Sequence, residues 1–256
     1  MNESKTNPDF WDTRWEQITS NFIQRGEGVV SDAIYDFFGP HLEQYRGGRL
    51  LEVGGAPGRY LGALATKYDM RAVGVDYSTI GCEQLRENFK SAGMKVEVIE
   101  RDVLQVPAET DEKADVVFSL GLVEHFEDPL PMLKAHLDYL KSGGTLIVGV
   151  PNYSGIYEKF WKKLSPELLS VHVLPTMKKE NWNPWIEELG LEIVKFDYIG
   201  GFYPQSLNKG EFKGFCLEKV AAKVLKETLG RMPKVIGSWN HPYFASYLIG
   251  AFRVKP

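Results

Sequence analysis

The chain has 256 residues, a length that one α/β domain can fill and that buries enough surface to need no disulfide staple. Its formal net charge of −4, without a Lys/Arg-rich stretch, argues against a phosphate-backbone partner, so nucleic acid is not expected as substrate. No run approaches the ~20 apolar residues of a membrane span, and the first residues lack the apolar core of a signal peptide.

The two cysteines, Cys82 and Cys216, fit no redox or metal-ligand spacing and read as small buried or half-buried thiols. The expectation is a cytoplasmic protein with no membrane partner. Residues 1–8 are polar and should be loose. Phe10, Trp11, Trp15, Ile18 and Phe22 recur at roughly helical spacing, which predicts an amphipathic helix over 10–22. A second helix is expected from Val29 to Phe38, stopping at Gly39-Pro40. RLLEVGG, from Arg49, reads as a buried strand ending in glycine. A helix follows over Arg59 to Lys67, then a strand, RAVGVD (71–76). Ser78 is a good N-cap for a helix reaching Ala92. KVEVIERD (95–102) and ADVVFSLG (114–121) are further strands. A helix over Pro129 to Leu140 leads into GGTLIVGV (143–150).

Strands alternating with helices imply a doubly wound α/β sheet, mostly parallel. After it come an aromatic, proline-punctuated stretch (151–180), a helix over Asn181 to Leu189 and a strand over 191–200. A long insertion (201–240) with a helix near Leu217 to Leu229 precedes a final strand over 241–254. The count is about seven strands. Residues 1–48 would form a helical cap on a domain spanning 49–256, with lid insertions at about 151–180 and 201–240.

The chemistry gathers at strand ends. Glu52-Val53-Gly54-Gly55-Ala56-Pro57-Gly58 makes a glycine-rich turn that lets a ligand approach the backbone. A dinucleotide fingerprint needs glycine at 54, 56 and 59, and the chain has Gly54, Ala56 and Arg59. Pro57 also removes a backbone donor where a pyrophosphate would sit. The loop therefore suits a nucleoside without phosphates better than NAD or ATP. Asp76, followed by Tyr77, offers two acceptor oxygens to ribose hydroxyls. Asp102, with Val103 behind it, can accept from an exocyclic amine. Each aspartate alone reads as a turn or cap residue. Three acids at successive strand ends around one glycine loop favour a nucleoside site.

Taken in order, LLEVGGAPG, VGVDYS, ERDVL, ADVVFSLGLVEHFEDP and GGTLIVGVPN resemble the motifs of class I S-adenosylmethionine-dependent methyltransferases, over residues 49–150 and more weakly 181–256. The resemblance implies a Rossmann-like fold with S-adenosylmethionine as cofactor and S-adenosylhomocysteine as product. It implies that Glu52, Gly54 and Gly58 line the methionine end and Asp76 holds the ribose. Asp102 and Val103 would hold the adenine, with Ser119 and Leu120 beneath the cofactor. SLGLVEHFEDP resembles the corresponding segment of quinone-biosynthesis O-methyltransferases. Those enzymes carry a metal-binding glutamate where this chain has Gly121, so no metal is expected.

Glu124 and His125 are the nearest acid/base pair, and His172 lies on the expected lid. His41 and His136 read as helix-surface residues. Trp11, Trp15, Tyr153, Tyr157, Trp161, Tyr203 and His241 are candidates for a substrate cover, joined by Phe160, Trp182, Trp185, Phe202 and Trp239. The expected activity is methyl transfer to an O, N or S atom, less readily C, of a small molecule. Alternatives are methylation of RNA or protein, a non-catalytic S-adenosylmethionine-binding protein, or a nicotinamide oxidoreductase. Monomer and homodimer both stay open.

Overall fold

The computed structural model describes residues 4–16, 21–105, 107–108, 111–204, 207, 217–229 and 236–254. Cys216 lies outside them. Seven strands form one sheet in the order β3-β2-β1-β4-β5-β7-β6. They are β1 (Arg49–Val53), β2 (Arg71–Asp76), β3 (Val96–Glu100), β4 (Ala114–Leu120), β5 (Leu140–Pro151), β6 (Leu191–Ile199) and β7 (Tyr247–Val254). The first five pair in parallel, and β7 runs antiparallel to both β5 and β6.

The continuous apolar runs follow from burial on both faces. In β1 every residue is buried, and the pleat sends Leu51 and Val53 to one side and Leu50 to the other. Leu51, Val73, Val75, Val117 and Val148 meet helices α5 (Leu130–Asp138) and α8 (Asn183–Glu188) on one face. Leu50, Ala72, Val116, Phe118 and Ile147 meet α2 (Val29–Leu42), α3 (Arg59–Tyr68) and α4 (Thr79–Ser91) on the other. A third apolar cluster joins α6 (Ile156–Leu164) to α9 (Leu217–Thr228) through Tyr157, Leu164, Phe202 and Ala222. Strand order reverses between β1 and β4, which opens a crevice at the carboxyl ends of β1, β2 and β4.

Several expectations are corrected. Helix α2 does not stop at Gly39-Pro40 but runs through Pro40 to Leu42. Phe37, Phe38, His41 and Leu42 form one buried stripe, and its burial outweighs the hydrogen bond that proline cannot make. His41 is therefore buried, not a surface residue. So is His136, on the core side of α5, with Nδ1–H donating to the Met132 carbonyl at 2.7 Å.

The first helix, α1, covers Pro8–Glu16, and none of its residues is buried. It lies against the sheet domain as a cover rather than as part of a core. The polar start is not loose where it is described: Ser4 bridges to Phe126, and Lys5 N–H donates to the His125 carbonyl at 2.8 Å. Trp182 belongs to the main core, stacked on Phe252 at 6.2 Å, with Trp185 packed beside it.

Candidate active site

A cavity of about 320 Å³ opens at the crevice. Its wall carries Gly54, Asp76, Tyr77, Asp102 and Val103 from the strand ends, and Trp11 and Trp15 from α1. Five of the nine sequence-derived cofactor residues thus meet in one space.

The glycine loop is held open by its backbone. Gly54 has φ +66°, which L side chains rarely adopt, and its N–H donates to the Val75 carbonyl at 2.8 Å. A Cβ at position 54 would press on Leu122 at 3.3 Å, at the cavity wall. Gly58 has φ +79°, and a Cβ there would lie 2.3 Å from Leu85 Cδ1. It allows the close approach of the start of α3 to Leu85 and Phe89 of α4, and does not line the cavity.

Asp76 is buried and already works for the fold. Its Oδ2 accepts from Ala56 N–H at 3.1 Å and its Oδ1 from Ser78 N–H at 2.9 Å. Burial pushes its carboxyl upward, and these N–H groups pull it back. Each oxygen keeps a second lone pair for a ligand. Asp102 is exposed at the rim, where its Oδ1 accepts from Leu104 N–H at 3.0 Å. Arg101 is the one Lys or Arg among the described wall residues. It is committed to Asp111 and to the Tyr139 hydroxyl. The wall thus offers carboxylates and apolar surface, and no uncommitted cation for a phosphate.

Glu52, Gly58, Ser119 and Leu120 do not reach this wall. Glu52 is buried behind it with Oε2 unpartnered, and burial raises its carboxyl well above the usual range. Ser119 Oγ is likewise buried without a partner. Leu120 packs into the core on the α3 side.

The cover is tied down by polar contacts. Ser78, the N-cap of α4, accepts from Gly81 N–H at 2.8 Å and donates to Asp12 of α1 at 2.5 Å. Gln84 donates to the Trp15 carbonyl. Trp11 Nε1–H donates to Thr6 at 3.0 Å, and its ring stacks on Trp15 at 5.5 Å and meets His125 edge-on at 5.2 Å.

The three candidate acid/base residues converge. Glu124 and His125 lie in a 3-10 turn after β4, and His172 follows α7 (Pro166–Ser170). The two imidazoles are 4.8 Å apart, and His125 lines the cavity. His125 Nδ1 lies 2.7 Å from the Val171 carbonyl and His172 Nδ1 2.5 Å from that of Leu168. A carbonyl only accepts, so both rings carry Nδ1–H and present an Nε2 lone pair. Burial lowers His125 to about 4, helped by His172. Burial also raises Glu124 to about 8. At 3.9 Å the two form a neutral pair rather than an ion pair at neutral pH.

Of the cover candidates, Trp11 and Trp15 line the cavity. Tyr153 stacks on Trp161 at 4.2 Å and meets His172 at 4.9 Å, so both stand behind the histidines. Tyr157 is a buried strut, its hydroxyl donating to the Phe244 carbonyl at 2.9 Å and accepting from Tyr203 N–H at 2.8 Å. His241 is exposed beside Tyr243, its Nδ1 accepting that residue's N–H at 3.2 Å, and does not reach the cavity. Sequence reasoning missed Ser4, Thr6, Asn7, Leu122, Phe126 and Met132 on the wall. Nothing periodic marks the first three; Leu122 and Phe126 flank the Glu124–His125 pair, which alone drew attention in that segment, and Met132 sits in a helix read only as framework.

The methyltransferase domain family matches residues 50–144. The chain is 25% identical over 171 residues to a tRNA U34 carboxymethyltransferase of Hydrogenovibrio crunogenus, covering 64% of this chain and 51% of that protein. It is 31% identical over 108 residues to a ubiquinone biosynthesis O-methyltransferase of Ruegeria pomeroyi, covering 42% and 43%. The chain spans about half the length of these relatives. Among solved structures, the [4+2]-cyclase SpnF superposes with TM-score 0.66 at 15% identity, over 99% of this chain and 96% of that one. A SAM-dependent methyltransferase from Thiobacillus denitrificans, in complex with S-adenosyl-L-homocysteine, superposes with TM-score 0.53 at 18% identity, over 91% and 100%. The fold is therefore the Rossmann-like one of class I S-adenosylmethionine-dependent methyltransferases.

Proposed function

From a methyltransferase domain set in this fold, we propose that the chain transfers a methyl group from S-adenosylmethionine to an O, N or S atom of a small molecule. One observation carries the reading. The cavity at the switch point joins Gly54, Asp76, Tyr77, Asp102 and Val103 under an aromatic cover, with no uncommitted cation on its described wall. That donor set fits a phosphate-free nucleoside bearing a sulfonium, and it does not fit a dinucleotide.

When bound, S-adenosylmethionine supplies an electrophilic methyl on a sulfonium whose charge is lost as the methyl leaves. The chain supplies the rest. Asp76 and Asp102 accept hydrogen bonds from hydroxyls and an amine. Val53, Val75, Val103 and Met132 provide apolar contact on the cavity wall. Trp11 and Trp15 exclude water, which holds an acceptor on line and strengthens every polar contact inside.

His125 is the wall residue that meets the acceptor's proton. At about 4 it is neutral at physiological pH and a weak base. Taking a proton from a phenol of pKa ~10 would cost it roughly 8 kcal/mol at equilibrium. Its part is to accept a hydrogen bond and orient the acceptor. Thiolates and neutral amines need no stronger base.

Calorimetric titration with S-adenosylmethionine and S-adenosylhomocysteine, with NADH as control, tests the cofactor. A labelled-methyl screen of phenols, thiols and amines, with tRNA alongside, tests the acceptor. Micromolar binding of the sulfur ligands and labelling of a small molecule are expected. Failure of both ligands to bind, or labelling of tRNA alone, would overturn the corresponding half of the reading.

A further inference from the structure

Glu124, His125 and His172 make a second chemical arrangement beside the cavity. Their candidate donor atoms, a carboxylate oxygen and two imidazole nitrogens, all lie within 4.8 Å of one another. Two features separate this group from a chance cluster. Each histidine spends Nδ1–H on a main-chain carbonyl, Val171 or Leu168, which fixes the ring and leaves Nε2 as a free lone pair. Metal-ligating histidines are oriented by this same kind of outer contact. The second feature is independent of the rings: Glu124 Oε2 is fully buried and has no hydrogen-bond partner. A buried carboxyl oxygen without a hydrogen-bond partner is costly, and a cation that displaces the carboxyl proton removes that cost.

We propose that Glu124, His125 and His172 bind one divalent first-row transition-metal ion, of the zinc or cobalt class, with an open coordination position toward the cavity. Two imidazoles and one carboxylate with a vacant position is a ligand set of catalytic zinc sites. The first-row preference follows from the nitrogen donors, since magnesium and calcium take oxygen ligands. With the ion bound, His125 Nε2 is spent on the metal, so an oxygen or sulfur donor of the acceptor would be oriented by the ion in place of the hydrogen bond to His125, which lines the cavity. The surrounding charges are few. Arg14 on α1 and Lys5 act on the histidines from the cover side, and Lys5 is paired with Glu127 at 2.9 Å. Tyr153 faces His172 from the α6 side. The sequence leads to the expectation of no metal, because Gly121 stands where a ligand would be; His172, brought to the turn after β4 by tertiary folding, supplies a third donor that no sequence spacing announces.

The test uses the whole chain, stripped with a chelator and titrated with Co²⁺ alone, then with Zn²⁺ in competition. One Co²⁺ per chain is expected, with visible absorption bands of a low-coordinate nitrogen/oxygen site that Zn²⁺ displaces. His172→Ala and Glu124→Gln should each weaken the metal at least about tenfold, with the far-UV circular dichroism of the wild type. If His172→Ala does not fold, His172→Asn replaces it. Absence of stoichiometric Co²⁺ in the wild type would overturn the site. So would affinity unchanged in both variants, which would place the ion elsewhere. S-adenosylhomocysteine binding, measured on the same metal-free sample, keeps failure of this site distinct from failure of the methyl-transfer reading.

Discussion

Replacing Asp76 by alanine tests two roles at once. In the structure its carboxylate accepts from the N–H groups of Ala56 and Ser78 at 3.1 and 2.9 Å. The side chain therefore ties the glycine loop to the cap of α4. Alanine leaves both donors without their acceptor in a buried place, at roughly 1–3 kcal/mol each. Relief of the buried carboxylate offsets part of this, so the net loss should be about 2–4 kcal/mol. In urea that moves the unfolding midpoint down by roughly 1 M. From sequence alone the fold would be expected to survive this change intact; the two backbone contacts revise that.

The cofactor half of the test is separate. Losing a charged acceptor for ribose hydroxyls should weaken S-adenosylhomocysteine by roughly 10- to 150-fold. Asp76→Asn keeps one acceptor oxygen but turns an amide N–H₂ toward a donor. It should fall between alanine and wild type in stability and lose affinity to a similar degree. Urea unfolding and calorimetry on the three proteins decide the matter. An alanine variant with wild-type midpoint and affinity would refute the reasoning outright. Lost stability with unchanged affinity would leave Asp76 as a loop anchor only.

Trp11→Ala opens the cover without touching a core, since α1 buries nothing. The cofactor should dissociate at least tenfold faster with little change in unfolding midpoint, as stopped-flow displacement of S-adenosylhomocysteine would show. Gly58→Ala forces a Cβ into left-handed backbone and to within 2.3 Å of Leu85; a loss of roughly 2–4 kcal/mol is expected in denaturant unfolding. His136 is held by burial at about 4, against an ordinary 6.5. Its neutral form is favoured by the fold, so this stability is fully present above pH 6.5 and is lost as the pH falls toward 4. The group alone contributes about 3 kcal/mol over that window at ~1.4 kcal/mol per pH unit. His136→Phe should flatten the acid limb of a stability–pH curve by that slope, and an unchanged limb would show that His136 does not titrate with unfolding.

The central strands were legible because they are buried on both faces. RLLEV and RAVGVD are apolar almost without break, and each ends at a residue suited to a ligand. Ser78 as N-cap was also legible, since a hydroxyl before a helical run has a local job, and it accepts from Gly81 as expected. Helix ends were less so. Pro40 should have stopped α2, but tertiary burial of Phe37, Phe38 and Leu42 carried the helix on. That burial took His41 off the surface, and the packing of α5 on the other face of the sheet did the same for His136, because a single histidine gives no sign of which helix face will be covered.

The sequence by itself determined the alternation of elements, the glycine loop and the acids at strand ends, because these depend on neighbours within a few residues. It also named Glu124 and His125 as a pair, and His172 apart from them on the expected lid. Tertiary structure alone decided that these three meet. It also decided that Thr6 and Trp11 close the cavity, that Tyr157 is a strut, and that Glu52 and Ser119 stand behind the wall. Each of those outcomes depends on distant segments packed against one another, and packing leaves no periodic trace in the chain that is packed.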